Sequence, residues 1–311
     1  MVCTIFVRQK SVNISKAVIE ELYDDLFIEK QVTVSMLRLD KIHPVISGNK
    51  LFKLHYFLEE AVANKHDTIV TFGGAYSNHL AATAYACNLL QLKSVGIVRG
   101  EKPVQLSHTL QQCRQNGMQL KFISRQEYAK KETTAFNEDL KAEFGECIII
   151  PEGGYHPLGA RGAALIMDLI KDNNYTHICT ASGTATTLAG LLMAAKPMQK
   201  VVNFPVLKGI TDNKTRIKKL TGNSNEFENL LILNQYHFGG YAKKTEMLIN
   251  FMNDCWLQYK LPLDFVYTAK MFFGVTDSIK NGVFEEGSRI LCVHTGGLQG
   301  NKSLSLNSLS F

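Results

Sequence analysis

Short apolar runs alternate along the chain with stretches in which apolar residues recur every three or four positions. Several of the runs are continuous rather than interrupted by polar residues, which is typical of parallel strands buried on both faces. The predicted strands cover residues 32–39, 68–72, 94–98, 119–123, 147–150, 176–180, 200–204, 230–233 and 289–294. Strand–helix alternation repeated this often predicts an α/β fold with twisted parallel sheets and helices on both faces.

The clearest helical pattern begins near Asn49. The residues that fall on one face at a period of 3.6 are Leu51, Leu54, Leu58, Ala61 and Val62. Asn49 or Ser47 is expected to cap this helix, because both side chains can accept a hydrogen bond from a free backbone N–H group.

Composition narrows the class of protein. The net charge of +6 comes from scattered lysines, without the basic stripe that a nucleic-acid surface needs. No apolar stretch approaches the 18 or so residues of a membrane span, and the N-terminus lacks the apolar core of a signal peptide. Seven dispersed cysteines without a CxxC pair favour reduced thiols and a cytoplasmic location.

Four glycine- and hydroxyl-rich loops directly follow predicted strands. They are residues 73–79, 151–155, 182–187 and 294–297. Ligands of open parallel sheets bind at the carboxyl ends of the strands, so the four loops predict one composite site. Any one of them could instead serve only as a tight strand-to-helix turn.

The segment Ser182-Gly183-Thr184-Ala185-Thr186-Thr187 precedes a strong helical pattern. Backbone N–H groups at a helix N-terminus and nearby hydroxyls can hold a phosphate. The chain contains neither GxxxxGK[ST] nor GxGxxG, so a monophosphate is favoured over a triphosphate or a dinucleotide.

Lys50 is unusual because it lies in the first turn of the predicted helix. The helix dipole is positive at that end and lowers the pKa of the amine, which favours the neutral form that Schiff-base chemistry requires. The alternative is a solvated surface lysine. Other chemistries fit poorly, because the chain has no HExxH and no GxSxG and no metal site is expected. His79 and His294 could act as acids or bases or as structural hydrogen-bonding groups.

Six segments in one order carry a family resemblance. They are SGNKLFKLHYFLEEA, FGGAYSNHLAATA, PEGGYHPLGARG, TASGTATTLAGL, VYTAKMFFG and CVHTGG. Together they resemble the 1-aminocyclopropane-1-carboxylate (ACC) deaminase and D-cysteine desulfhydrase family over residues 32–300. These are fold-type II enzymes that use pyridoxal 5'-phosphate and are related more distantly to tryptophan synthase β.

The resemblance implies roles for single residues. Lys50 would carry the cofactor, and Asn78 would bind its phenolic oxygen. Ser77 and His79, with Asn78, would meet the substrate. Ser182, Gly183, Thr184, Ala185, Thr186 and Thr187 would hold the phosphate. Tyr241 and Tyr267 match the two active-site tyrosines of the family, whereas Thr268 and Thr295 match positions near the pyridine nitrogen.

The resemblance also implies two domains, a homodimer and a small amino-acid substrate. The larger domain would comprise residues 1–53 and 158–311, and the smaller one residues 54–157. Several positions depart from the family pattern: Ser47 replaces a glycine, Phe52 an arginine, His55 a glutamate and Tyr76 a glutamine, and SGTATT replaces SGSGGT.

The predicted activity is β-elimination from D-cysteine or a similar D-amino acid. ACC deaminases have Tyr-Glu where this chain has Tyr267-Thr268, and a threonine cannot supply the negative charge that favours a protonated pyridine. Alternatives are ACC deamination, giving 2-oxobutanoate and ammonia, and a non-catalytic protein that binds the cofactor or another phosphorylated metabolite.

Overall fold

Ten strands form two sheets within residues 12–171, 174–224 and 227–311, the part of the chain that this computed structural model describes. The strands are β1 Ile19–Leu22, β2 Thr33–Arg38, β3 Thr68–Gly73, β4 Lys93–Arg99, β5 Gln119–Ile123, β6 Cys147–Ile150, β7 His177–Ser182, β8 Lys200–Pro205, β9 Leu230–Ile232 and β10 Arg289–His294. The larger sheet has the order β1-β2-β10-β7-β8-β9, and the smaller has β5-β4-β3-β6.

Helices occupy most connections between these strands. They are α1 Asp25–Glu29, α2 Asn49–Ala63, α3 Asn78–Leu89, α4 His108–Gln115, α5 Arg125–Tyr128, α6 Thr134–Phe144, α7 Pro157–Ala164, α8 Thr186–Ala194, α9 Asn213–Thr221, α10 Glu246–Tyr259 and α11 Thr268–Lys280. Within the described residues, none of them combines the length and apolar character that crossing a bilayer requires.

The predicted α/β fold is confirmed, and each predicted strand lies within two residues of an observed one. One edge of the larger sheet differs. Strand β1 was not predicted, and it pairs antiparallel with β2, whereas the other pairings in both sheets are parallel. Its sequence IEEL carries two charges over four residues, a composition that suits a short, partly exposed edge strand.

Helix α7 packs between α2 and α8 and joins the two sheets through one continuous core. Two glycines make this close approach possible. A Cβ atom on Gly162 would lie 2.0 Å from the Phe52 carbonyl oxygen, and one on Gly190 would lie 2.5 Å from the Ala160 carbonyl oxygen. The predicted apolar face of α2 is buried here, with the exception of Val62 in its last turn, which is 50% exposed.

The smaller sheet lies within residues 68–150 of the chain, and the larger sheet is built from residues on both sides of that segment. The division into domains of 54–157 and of 1–53 with 158–311 stays a prediction. Residues 1–11 of the predicted larger domain, at the N-terminus that was considered for a signal peptide, lie outside the described part of the chain.

Candidate active site around Lys50

Helix α2 begins at the C-terminal edge of the larger sheet, against the loop that follows β10. Neither predicted cap is correct, because Gly48 is the N-cap, with φ 64°, and makes no side-chain cap. The reason is tertiary: a Cβ atom on Gly48 would lie 1.9 Å from the Thr295 carbonyl oxygen, which accepts a hydrogen bond from the Asn49 N–H group. Only glycine fits between the helix start and this loop.

Lys50 projects from this first turn. Its Nζ atom donates a 2.6 Å hydrogen bond to Asn49 Oδ1 and lies 5.9 Å from the centre of the Tyr267 ring. Burial lowers the pKa of Lys50 to about 8, against an opposing effect of the Asp264 carboxylate. The direction agrees with the sequence prediction, but burial is the main cause. The amine is therefore partly neutral near neutral pH, as a carbonyl nucleophile must be.

The loop after β7 meets the same helix start. Asn49 Nδ2 donates a 2.7 Å hydrogen bond to Thr187 Oγ1, and the Thr184 and Thr186 hydroxyls lie 2.9 Å apart. Ala185 is the N-cap of α8 and adopts a left-handed conformation, with φ 63° and ψ 2°. The buried Ser182 hydroxyl has no hydrogen-bond partner among the described residues. This unpartnered hydroxyl and the free N–H groups of α8 suit an anionic ligand.

Lys53 is a site residue that the sequence analysis missed. It is 4% exposed, and no carboxylate or carbonyl within the described residues is bonded to its ammonium group. Burial and the neighbouring charge of Lys50 lower its pKa well below the usual value. The signal was present in the sequence, since Lys53 lies three residues after Lys50, among apolar positions of the same helix.

A glycine turn, Gly153–Gly154, lies between Lys53 and the loop after β7. A Cβ atom on Gly154 would lie 3.5 Å from Lys53 Cε, and one on the adjacent Gly153 would lie 3.0 Å from Thr184 Cγ2. The sequence prediction of a phosphate held only by a helix N-terminus therefore left out a buried lysine side chain that lies across this turn from the loop.

The remaining loops close the site from the other side. A Cβ atom on Gly297 would lie 3.2 Å from Asn78 Nδ2, and Asn78 Oδ1 accepts a 2.7 Å hydrogen bond from Gln299 Nε2. The four predicted loops therefore do meet. Two of them, through Asn78 and Gly297, line a cavity of about 250 Å³ together with Lys50. A larger depression of about 470 Å³ beside Trp256 and Lys260 contains none of the predicted site residues.

Ser77 and Asn78 lie at the start of α3, after β3. The Ser77 hydroxyl caps the helix by accepting a 3.2 Å hydrogen bond from the Leu80 N–H group, and both residues are partly exposed. Asn78 lines the cavity, so its side chain can reach a ligand there, and Ser77 is the residue directly before it.

His79 is the second residue of α3, and its side chain is buried, with 3% exposed. The Thr71 hydroxyl donates to the Ile150 carbonyl at 2.8 Å, so the 2.9 Å contact with His79 Nε2 places a proton on that nitrogen. Burial, with Lys53 and Lys50 nearby, lowers the pKa of His79 well below its usual value. His79 is therefore a neutral imidazole, and its predicted contact with the substrate stays a prediction.

Tyr267 borders the loop after β7, and Tyr241 lies against Tyr267. A Cβ atom on Gly183 would lie 3.4 Å from the Tyr267 hydroxyl oxygen. The rings of Tyr241 and Tyr267 lie 6.1 Å apart at an interplanar angle of 72°. Burial raises the pKa of Tyr267 well above its ordinary value, and Tyr241 adds to the effect. Tyr267 therefore stays protonated and can act as a proton donor.

The two threonines expected near the pyridine nitrogen have different environments. The buried Thr268 hydroxyl donates a 2.7 Å hydrogen bond to Asp264 Oδ1. Asp264 is fully buried and also accepts hydrogen bonds from the N–H groups of Val266, Tyr267 and Thr268. The Thr295 hydroxyl makes no hydrogen bond within the described residues, which leaves it available to a ligand.

His294, the other histidine considered as an acid or base, is part of the scaffold. Its Nε2 atom donates a 2.8 Å hydrogen bond to the Pro262 carbonyl, and its Nδ1 atom lies 3.3 Å from Asp40 Oδ1. Asp40 in turn pairs with Arg38. These contacts hold the end of β10 and favour the structural role.

These residues fit pyridoxal 5'-phosphate. Lys50 offers an amine for the aldehyde, and Lys53, Ser182 and the start of α8 offer cationic and hydrogen-bonding groups for the phosphate. Asn78 and Thr295 offer a donor and a hydroxyl for the polar atoms of the ring. The predicted roles of the site residues stay predictions.

Comparisons with known proteins agree with this chemistry. Residues 27–296 match the family described as pyridoxal-phosphate dependent enzyme. The bifunctional mitochondrial D-cysteine desulfhydrase/1-aminocyclopropane-1-carboxylate deaminase of Arabidopsis thaliana is 31% identical over 82% of this chain and 70% of its own length. The D-cysteine desulfhydrase of Serratia proteamaculans is 26% identical over 84% of this chain and 86% of its own.

A solved structure described as an ACC deaminase homologue superposes with a TM-score of 0.76 at 27% identity, covering 92% of this chain and 90% of the other. It confirms the fold-type II architecture. The chain therefore belongs to the pyridoxal-phosphate-dependent enzymes, in the group that contains ACC deaminases and D-cysteine desulfhydrases.

Proposed function

We propose that this enzyme eliminates the β-substituent of D-cysteine or a similar D-amino acid. With D-cysteine, loss of the Cα proton and of the thiol gives 2-aminoacrylate, which reacts with water to form pyruvate and ammonia, with sulfide as the third product. The main support for this proposal is the residue at position 268. It is a buried threonine rather than a carboxylate, and its hydroxyl donates a hydrogen bond to Asp264.

The Asp264 carboxylate does not change this argument. Each of its oxygens accepts two hydrogen bonds from the start of α11, two to Oδ1 from Thr268 and two to Oδ2 from Val266 and Tyr267. Its charge is therefore partly offset by the helix N-terminus. The neutral Thr295 hydroxyl is the group we expect at the pyridine nitrogen. It does not favour pyridinium as a carboxylate does.

When bound, the cofactor supplies an electron sink for the charge that develops at Cα. A weaker sink suits a substrate whose good leaving group departs readily, such as a thiol, better than opening of the cyclopropane ring of ACC. Lys50 holds the cofactor and transfers the Cα proton. Ser77 would bind the substrate carboxylate, and Asn78 would bind the phenolic oxygen of the cofactor. Tyr267, with Tyr241 beside it, donates a proton to the departing sulfur.

The compartment and assembly are also part of the proposal. The six cysteines within the described residues are free and buried, which supports a reducing compartment, and we propose the cytoplasm. The homodimer rests on the family resemblance, and light scattering at micromolar concentration tests it: the mass of a single chain would refute it.

The proposed activity is tested by measuring kcat/KM for D-cysteine and for ACC on one preparation of cofactor-loaded enzyme. Pyruvate and 2-oxobutanoate report the two reactions separately, and L-cysteine and D-serine test stereochemistry and leaving group. We expect D-cysteine to be the better substrate by at least tenfold. ACC turnover above that of D-cysteine would support ACC deamination, the other activity in the names of the relatives, and would show that the argument from Thr268 is wrong.

A further inference from the structure

Lys270 is a buried lysine to which the proposed reaction assigns no role. It lies on α11, three residues after Tyr267, and is fully buried. Its Nζ atom donates hydrogen bonds to the carbonyl oxygens of His237, at 3.0 Å, and Gly240, at 2.7 Å. No ion pair to it forms within the described residues. Burying an ammonium group without a paired carboxylate is costly. The burial of Lys270 against two carbonyl oxygens therefore points to a role for this residue.

The segment that supplies these carbonyls has an uncommon backbone. Phe238, Gly239, Gly240 and Ala242 all adopt positive φ angles, of 51°, 88°, 118° and 53°. Two of the four are not glycine, and a left-handed backbone is disfavoured for them. Such a segment needs contacts from outside to keep its shape, and the Lys270 ammonium group supplies two of them.

The Gly240 carbonyl group and the Tyr241 nitrogen belong to the same peptide unit. Its hydrogen bond to Lys270 therefore fixes the orientation of the backbone from which the Tyr241 side chain projects. Tyr267 and Lys270 belong to one helix start, so the same contact sets the distance between the Tyr241 and Tyr267 rings, which is 6.1 Å.

We propose that Lys270 is a positioning residue that holds segment 237–242 so that Tyr241 lies against Tyr267 in the active site. The inference rests on the proposed function only in that Tyr241 takes part in the reaction. Its structural half, that Lys270 orders this segment, stands independently of the substrate.

The structural half is tested on cofactor-free protein by limited digestion with trypsin. Lys243 and Lys244 are exposed directly after the segment and are accessible cleavage sites. We expect K270M to be cleaved there at least tenfold faster than the parent, as followed by intact mass. K280M, which removes an exposed lysine from the end of the same helix, should behave as the parent. Parent-like cleavage of folded K270M would overturn the proposal.

If circular dichroism shows that K270M does not fold, K270Q decides by the same digestion. The amide nitrogen of glutamine lies one atom closer to the backbone than lysine Nζ and carries no charge, so it should hold the two carbonyls less firmly. Faster cleavage is again expected, and a rate equal to that of the parent would overturn the proposal.

The catalytic half is tested by a double-mutant cycle with Y241F. K270M should lower kcat at least fivefold with a smaller change in KM, and it should cause little further loss in the Y241F background. Additive losses would show that Lys270 does not act through Tyr241. If neither D-cysteine nor ACC is turned over, the proposed function fails, and the digestion still decides whether Lys270 orders the segment.

Discussion

Asn49 Nδ2 donates a hydrogen bond of 2.7 Å to Thr187 Oγ1, joining residues 138 positions apart in the chain. The same Asn49 side chain accepts a hydrogen bond from Lys50 through Oδ1. One amide therefore connects the amine that we expect to carry the cofactor with the loop that we expect to bind its phosphate. We expect the distance between these two parts of the site to depend on the Asn49 side chain.

Replacing Asn49 by alanine should weaken both folding and cofactor binding. Asn49 is 7% exposed, so N49A leaves a buried hydroxyl on Thr187 without its donor. We expect a loss of about 1–3 kcal/mol in the free energy of unfolding, measured in urea on cofactor-free protein. N64A, at the exposed end of the same helix, is the control. Equal stabilities of the two variants would contradict the prediction.

Attachment of pyridoxal 5'-phosphate should follow the titration of Lys50. With a pKa of about 8, roughly one amine in ten is neutral at pH 7, against about one in three thousand for an ordinary lysine. The neutral fraction rises with pH, so the rate of reconstitution should increase from pH 6 and level off above about pH 8. Visible absorbance follows the reaction.

Borohydride reduction should then fix the cofactor to Lys50, located by peptide mass. K50A should bind no cofactor covalently. A label on the neighbouring Lys53, or a reconstitution rate that still climbs steeply at pH 10, would count against the assignment.

Lys53 should discriminate between cofactor forms with and without a phosphate. Removing a buried charge-assisted contact costs about 1.5–3 kcal/mol, so K53M should bind pyridoxal 5'-phosphate roughly 10- to 100-fold more weakly. Its affinity for pyridoxal, which lacks the phosphate, should stay close to that of the parent. K65M, at an exposed site just after α2, serves as the control. An equal loss for both ligands would place Lys53 elsewhere in the site.

Ala185 should be a stabilising site for glycine. Its φ of 63° is costly for a residue with a Cβ atom, by about 1 kcal/mol, and the family pattern SGSGGT has glycine at this position. A185G should raise the free energy of unfolding by about 0.5–1 kcal/mol. A189G, inside the helical part of α8, should lower it by about 1 kcal/mol. The same direction of change in both variants would argue against strain at Ala185.

The sequence by itself determined the elements that depend on local pattern. Apolar runs located the strands from β2 to β10, and several of these runs are continuous, as suits strands buried on both faces. The glycine-rich loops after these strands predicted a bound monophosphate, and Lys50 in a first helical turn indicated Schiff-base chemistry, whereas the cofactor itself was implied by the family resemblance. The charged strand β1 was missed, since IEEL has no apolar pattern to reveal it.

Only the tertiary structure determined which side chains remain available to bind a ligand or to react. The sequence cannot show that the Thr295 carbonyl excludes any side chain at position 48, or that Asp264 takes the Thr268 hydroxyl while that of Thr295 stays available. The sequence also does not show which loop lies near the Lys53 side chain. These outcomes depend on distances between residues far apart in the chain, which are set by how α2, α7 and α8 pack. Periodicity encodes which face of an element is buried, and packing determines which atoms meet there.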